Sequence, residues 1–261
     1  MSNEKFFKPD GTEFEFSVET FIADYQDDYY TEEAEKRLVS PLNRSSKYVE
    51  GVIEDILAKG KTNERYDHQD FARILAWKIG YIDHENSESS FVYKEDWKDL
   101  EERAKDTNGA VKRDFRSKTE DFPIGKIVSY LVKNQDVLKD LAQKEDPKDF
   151  FDNLRKQPFF GLGTVYIITL LYFLSGEQYP IYDRYAHKAA KAIIFDKRPI
   201  DVYVGDAPSK TSVNDAMKLY SEYRWLLTQI FGSSHINRDQ DRALWVYGHS
   251  KTKYPDCVMT E

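Results

Sequence analysis

The segment Gly161-Leu162-Gly163-Thr164 places two glycines between two stretches of sequence that have helical patterns. Before it, Asp146 and Pro147 form a helix start with Asp146 as the cap, and Pro158 ends that helix. After it, residues 165–174 are apolar almost all round, which predicts a buried helix. A tight glycine turn between two helices exposes backbone N–H groups at the start of the second helix. Those groups are suited to binding a phosphate.

A second informative segment, Tyr179-Pro180-Ile181-Tyr182-Asp183-Arg184, follows the buried helix and opens another over residues 184–195. Asp183 stands at the N-cap position of that helix, and capping alone accounts for an aspartate there. A capping carboxylate can keep one oxygen for chemistry, so both roles stay open. His187 lies one turn further along, where it is either a phosphate contact or a surface residue.

The rest of the chain also has helical character. Apolar residues recur at three- and four-residue spacings over residues 46–57, 70–82, 124–133, 137–144, 213–231 and 239–248. Phe14 alternates with glutamates after the turn signal Asp10-Gly11, which predicts a short N-terminal β-hairpin. About ten helices with short connections predict an all-α, two-lobed helical bundle. We expect an acidic N-terminal helical region over residues 1–120 and a second region over 121–261, or one interleaved domain.

Composition narrows the class of protein. Of the 261 residues, 40% are hydrophobic and 15% aromatic, which is ample for a packed core. No apolar run is long enough to span a bilayer, and the N-terminus lacks a secretory signal, so we expect a cytoplasmic protein with no membrane partner. The single cysteine, Cys257, excludes an internal disulfide and four-cysteine metal sites. The five histidines lack metal-ligand spacing, so no metal site is predicted.

Charge is unevenly distributed along the chain. A net charge of −8 and a pI of about 5.3 argue, taken alone, against binding to nucleic acid. Residues 1–60 carry 7 Lys and Arg against 14 Asp and Glu, whereas residues 148–198 carry 8 against 5. The glycine turn therefore lies in a mildly basic stretch, which is compatible with weakly steered binding to DNA.

The two segments together resemble the helix-hairpin-helix superfamily of DNA glycosylases, which has an 8-oxoguanine glycosylase-like fold and is named for its hairpin, a Gly/Pro-rich loop and an aspartate. The resemblance rests on the spacing from Gly161 to Asp183 and on the Pro180-Ile181-Tyr182-Asp183 segment, and it covers residues 146–195. A looser similarity extends to a late core helix at residues 241–245. The resemblance implies that Asp183 is the catalytic carboxylate. The DNA-binding residues that it implies are Gly161, Leu162, Gly163, Thr164, Lys156, Arg184, His187 and Lys188.

The resemblance also implies a reaction and a partner. The partner is DNA with an extruded base, and the reaction hydrolyses the N-glycosidic bond of a modified or mismatched base, as in base-excision repair. No organic cofactor is implied, although a monovalent cation often binds the hairpin in this superfamily. Members that also cut the strand carry a lysine nucleophile two residues after the second glycine. Val165 stands at that position here, which favours a monofunctional, water-using enzyme.

Two other functions remain open from the sequence. The chain is alternatively a catalytically silent member of the same fold that binds DNA or protein, which the low pI and the missing lysine favour. A nuclease that uses the same hairpin is a further alternative. It would depend on Mg²⁺, yet no clear carboxylate cluster for two metals stands out.

Overall fold

The computed structural model of the chain describes residues 6–15, 17–29, 47–79, 82–83, 92–93, 124–157, 163–205 and 213–254. Most of these residues are helical, which confirms the predicted all-α class. The helices are α1 (Val18–Tyr25), α2 (Lys47–Lys61), α3 (His68–Ile79), α4 (Ile124–Ala142), α5 (Lys148–Arg155), α6 (Thr164–Leu174), α7 (Arg184–Ile194), α8 (Val213–Phe231) and α9 (Arg238–Gly248). Short 3-10 turns occupy Asp27–Tyr29 and Pro199–Asp201.

Extended structure is sparse in the described residues. Two-residue strands β1 (Ile82–Asp83) and β2 (Val92–Tyr93) pair antiparallel, with Ile82 opposite Tyr93. The helix predicted over residues 70–82 therefore ends earlier, at Ile79, and Ile82 is in a strand. The N-terminal segment turns at Gly11, which has a φ of 85°. A single antiparallel bridge between Phe7 and Glu13 closes that turn. The turn therefore lies where the sequence predicted it, but residues 6–15 form one bridge and no strand.

Helix α4 is continuous where the sequence predicted a break near residues 134–136. Gln135 accounts for the difference, because its buried amide is bonded on both sides. Its Oε1 accepts a hydrogen bond from the backbone N–H of Tyr66 at 2.8 Å, and its Nε2 donates to the Tyr66 carbonyl at 3.0 Å. These tertiary bonds stabilise a helical conformation that local propensity alone would not favour.

The chain divides into two compact units. The first unit comprises Met1–Arg44 and Pro180–Glu261, and the second comprises Ser45–Tyr179. The predicted division at residue 120 stays a prediction, because residues 94–123 lie outside the described part. The helix-hairpin-helix motif also stays a prediction, since its turn includes residues 158–162, which are likewise not described.

The second unit is built around α6. The buried side chains of α6 include Ile167, Ile168, Leu170, Leu171 and Phe173, as the apolar pattern predicted. Helices α2, α3, α4 and α5 pack against it. The hydroxyl of buried Tyr66 donates to the carbonyl of Phe173 at 2.8 Å. No helix in the described ranges is both long and apolar enough to cross a membrane.

The first unit is built around the packing of α7 against α9, with α1 and α8 on their other sides. Gly248 is required at the α7–α9 contact. A Cβ at this position would lie 2.0 Å from the carbonyl oxygen of Tyr185 and 2.6 Å from its carbonyl carbon. Because the obstructing atoms belong to the backbone, no side-chain movement could relieve the clash. The contact positions the start of α7, and therefore Asp183, against the end of α9.

Candidate functional site

Within the predicted glycine turn, the structure describes the residues from Gly163 onward. Gly163 is the N-cap of α6, with a φ of −71° and a ψ of 174°, so this glycine does not use the left-handed conformation that glycine permits. Its carbonyl accepts the N–H of Tyr166 at 3.1 Å, which starts the helix. Gly161 and Leu162, the other predicted turn residues, lie outside the described residues.

The side chain of Thr164 is engaged inside the second unit. It is 1% exposed, and its Oγ1 accepts a hydrogen bond from Nη2 of Arg155 at 2.9 Å. This bond joins the last turn of α5 to the first turn of α6. Because the exposure covers the whole residue, its backbone N–H is enclosed as well, and the phosphate contact of Thr164 stays a prediction. Lys156 is exposed at the C-cap of α5, so its ammonium is accessible for the predicted role.

Asp183 is the N-cap of α7, as the sequence suggested. Its backbone is extended, with φ of −134° and ψ of 144°, and its Oδ1 accepts the N–H of Tyr185 at 2.8 Å. This bond fixes the carboxylate at the positive end of the helix dipole, where a negative charge is stabilised. The residue is half-buried. The carboxylate is therefore held in one orientation on a residue that is partly exposed.

A cluster of buried rings packs around the start of α7. Tyr182 and Tyr223 meet edge to face at 5.3 Å, and His187 lies 5.7 Å from the ring of Tyr182 and 5.5 Å from that of Tyr223. Burial, together with the charges of Asp241 and Asp183, raises the pKa of Tyr223. These two carboxylates therefore lie within electrostatic reach of the phenol, which stays neutral at physiological pH.

His187, for which the sequence indicated either a phosphate contact or a surface position, is buried, so the surface alternative is wrong. Its side chain is 0% exposed, its Nδ1 lies 3.2 Å from the hydroxyl of Tyr182, and its Nε2 lies 3.9 Å from an oxygen of Glu222. Burial, assisted by the positive charge of Lys191, lowers the pKa of His187 to about 4. A neutral, enclosed imidazole does not contact a phosphate, so His187 is removed from the predicted DNA-binding set. The sequence pattern of α7 did not reveal that α8 covers this position.

An aromatic stack that the sequence did not reveal lies beside Asp183. The imidazole of His249 stacks on the ring of Tyr185 at 3.5 Å, with an angle of 24° between the planes. Trp245 lies 4.3 Å from His249, and its carbonyl is 2.8 Å from Nδ1 of that residue. Burial lowers the pKa of His249, while the hydrogen bond to Trp245 and the negative charge of Asp183 oppose the shift. The i, i+4 spacing of Trp245 and His249 is the sequence signal that could have indicated the contact between these two residues, but not the stack on Tyr185.

Two basic side chains share the exposed face of α7. Arg184 is exposed, and its guanidinium lies 5.6 Å from the centre of the Tyr185 ring. Lys188 lies one turn further along and is half-buried; burial and the charge of Arg184 lower its pKa. The first unit thus brings Asp183, Arg184 and Lys188 together, and the second unit brings together Lys156, Gly163 and Thr164. That both groups line one crevice stays a prediction.

In the described residues, no group of three or more His, Cys, Asp or Glu side chains is arranged to hold a metal ion. Comparisons of the chain with protein-family models, with curated proteins and with solved structures found no match.

Proposed function

We propose that the protein is a monofunctional DNA glycosylase that hydrolyses the N-glycosidic bond of a modified or mismatched base. The proposal is carried by one observation: the N–H of Tyr185 fixes the carboxylate of Asp183, a half-buried residue that the exposed Arg184 follows in sequence. An oriented carboxylate beside a cation is suited to a substrate that has a phosphate next to the reacting sugar. The resemblance of residues 146–195 to helix-hairpin-helix glycosylases supports the same function.

The chemistry assigned to Asp183 follows from the bond that is broken. Cleavage between base and sugar builds positive charge on the sugar ring, and a carboxylate held beside the ring stabilises that charge. The same carboxylate orients the attacking water and accepts its proton. Because Oδ1 is held by a backbone N–H, the group does not have to reorganise as charge develops. Water is the co-substrate, so the reaction needs no organic cofactor, although a monovalent cation at the hairpin is compatible with it.

DNA binding in this proposal uses two groups of residues. Backbone groups of Gly161, Gly163 and Thr164 hold a phosphate at the start of α6, with the exposed Lys156 nearby in sequence. Arg184 and Lys188 hold the strand along α7. The nucleotide is turned out of the stack so that its sugar reaches Asp183.

Val165 supports the hydrolytic route over a lyase route. It stands where bifunctional relatives carry the amine that forms a Schiff base, and a valine has no nucleophile. The expected product is therefore an abasic site in an unbroken strand.

The test is a base-release assay with matched variants. The full chain is incubated with duplexes that carry a panel of modified and mismatched bases, and alkali then reveals abasic sites as strand breaks. Asp183→Asn is expected to abolish release, since asparagine caps a helix as well as aspartate does but carries no charge. Asp201→Asn is the control, because it removes an exposed carboxylate of the same unit that pairs with Arg198. Full activity in Asp183→Asn would refute the proposal.

A catalytically silent, DNA- or protein-binding protein is the second candidate. It is favoured by the capping bond itself, which gives Asp183 a structural role without any chemistry. The net charge of −8 adds to that case. The same assay separates the candidates: a silent protein binds a DNA or protein partner and releases no base from any duplex of the panel.

A further inference from the structure

The segment that follows α7 carries three exposed hydrophobic side chains close together in sequence. Phe195 is 56% exposed, Ile200 is 46% exposed and Tyr203 is 87% exposed. The segment itself is anchored: Pro199 is buried, and the 3-10 turn Pro199–Asp201 packs against α7 and α9. A single exposed hydrophobic side chain needs no explanation, but three of them within residues 195–203 of an anchored segment indicate a candidate binding surface.

Two basic residues, Lys197 and Arg198, stand between Phe195 and Ile200. Residues 184–203 carry five Lys and Arg against two Asp, in a chain whose net charge is −8. Both aspartates are paired, Asp196 with Lys253 at 2.9 Å and Asp201 with Arg198 at 2.7 Å. Lys197 is exposed and makes no ion pair with any described residue. Residues 184–203 are therefore a local positive region on an acidic protein. The excess positive charge comes from α7, because residues 195–203 carry two basic and two acidic residues. This charge complements that of a phosphate backbone.

The helix places two basic residues and one apolar residue in a row. Arg184 and Lys188 are four residues apart and lie on the same face of α7. Phe195, the C-cap residue seven positions after Lys188, continues that row at the end of the helix. At 1.5 Å per residue, the row is roughly 16 Å long from Arg184 to Phe195. It begins beside Asp183 and ends at the exposed segment. A strand held along this row would have its bases within reach of the rings at the far end.

We propose that Phe195, Ile200 and Tyr203 form a stacking platform for the bases of single-stranded or unpaired DNA, next to the backbone contacts of Arg184, Lys188 and Lys197. In taking DNA as the ligand, the inference rests on the proposed function. Single-strand binding surfaces combine such rings with cations, because bases stack on the rings while phosphates meet the cations. Lysine is depleted at interfaces between proteins, so the exposed Lys197 among these side chains favours a nucleic acid over a protein partner.

The test measures binding of the full chain to a labelled single-stranded oligonucleotide of about 12 nucleotides by fluorescence anisotropy. Tyr203→Ser is expected to weaken binding at least about fivefold, and Tyr203→Phe is expected to keep it, because stacking needs the ring and not the hydroxyl. Trp225→Ser is the matched control, since Trp225 is 44% exposed on α8. Lys197→Ala is expected to reduce the slope of log affinity against log salt by about one.

Three outcomes would overturn the platform. Tyr203→Ser could bind the oligonucleotide as tightly as the unaltered chain, or Trp225→Ser could weaken binding equally. Alternatively, Tyr203→Ser could abolish self-association without changing DNA binding, which would make the segment a contact between copies. Base release measured in parallel separates this inference from the proposed function. If Asp183→Asn abolishes base release but substitutions at Tyr203 leave DNA binding unchanged, only the platform is refuted. If DNA binding depends on Tyr203 but no base is released, only the glycosylase is refuted.

Discussion

Two substitutions at Asp183 separate capping from chemistry. Asp183→Ala removes the acceptor for the N–H of Tyr185, a bond of 2.8 Å, and the loss of an N-cap costs about 0.5–2 kcal/mol. Asp183→Asn keeps an acceptor oxygen and loses only the charge at the helix terminus, which costs about 0.3–1 kcal/mol when exposed. We therefore expect the alanine variant to be less stable than the asparagine variant. Both should lose base release at least about a hundredfold, because both lack the carboxylate.

The two effects are measured on the same samples. Thermal unfolding followed by circular dichroism reports stability, and about 1 kcal/mol corresponds to a shift of roughly 2–4 °C for a chain of this size. Single-turnover release from the best duplex of the panel reports chemistry without product inhibition. Asp201→Asn controls for the loss of one carboxylate from the same unit.

Two outcomes would contradict this prediction. If Asp183→Asn releases base as fast as the unaltered chain, the carboxylate has no catalytic role and only its capping role remains. If Asp183→Ala is as stable as Asp183→Asn, the bond to Tyr185 does not stabilise α7. In that case the fixed orientation assigned to the carboxylate is also wrong.

Three further predictions concern packing, pH and the reaction type. Gly248→Ala should destabilise the protein by about 1–3 kcal/mol in urea unfolding, because its Cβ would meet the backbone of Tyr185. Gly51→Ala is the control: its Cβ would meet open space, so this substitution should stabilise α2. An unchanged unfolding midpoint for Gly248→Ala would contradict the packing of α7 on α9. The free energy of unfolding should fall as pH decreases from about 6.5 to about 4, because the unfolded chain binds a proton at His187 that the folded chain excludes. His187→Gln should flatten this part of the pH profile of unfolding. An equally steep profile for the variant would contradict the burial of His187. Borohydride should trap no covalent DNA adduct, since Val165 replaces the lysine nucleophile; a trapped adduct would show that another lysine acts as a lyase.

Elements with strong periodicity were predictable from the sequence. Residues 213–231 form α8 with the bounds that the pattern gave, and α6 is buried as its apolar sequence indicated. The N-cap role of Asp183 was also predictable, because capping depends on residues that are neighbours in sequence. Local rules succeed wherever the determining contacts are local.

Features that depend on distant contacts were not predictable. The buried state of His187 depends on Tyr223, which is 36 residues away on α8. The stack of Tyr185 on His249 joins residues 64 apart and requires the close packing of α7 on α9. The continuity of α4 depends on bonds between Gln135 and Tyr66, 69 residues apart. In each case, single-helix patterns carry no information about which neighbour covers a face.

One measurement bears on the whole account: mass spectrometry of free bases released from a panel of modified and mismatched duplexes, with the strands then sized before and after alkali. The proposed function predicts a free base from at least one duplex, an intact strand before alkali and a break after it, with no release by Asp183→Asn. Binding to DNA without release of any base across the panel would contradict it.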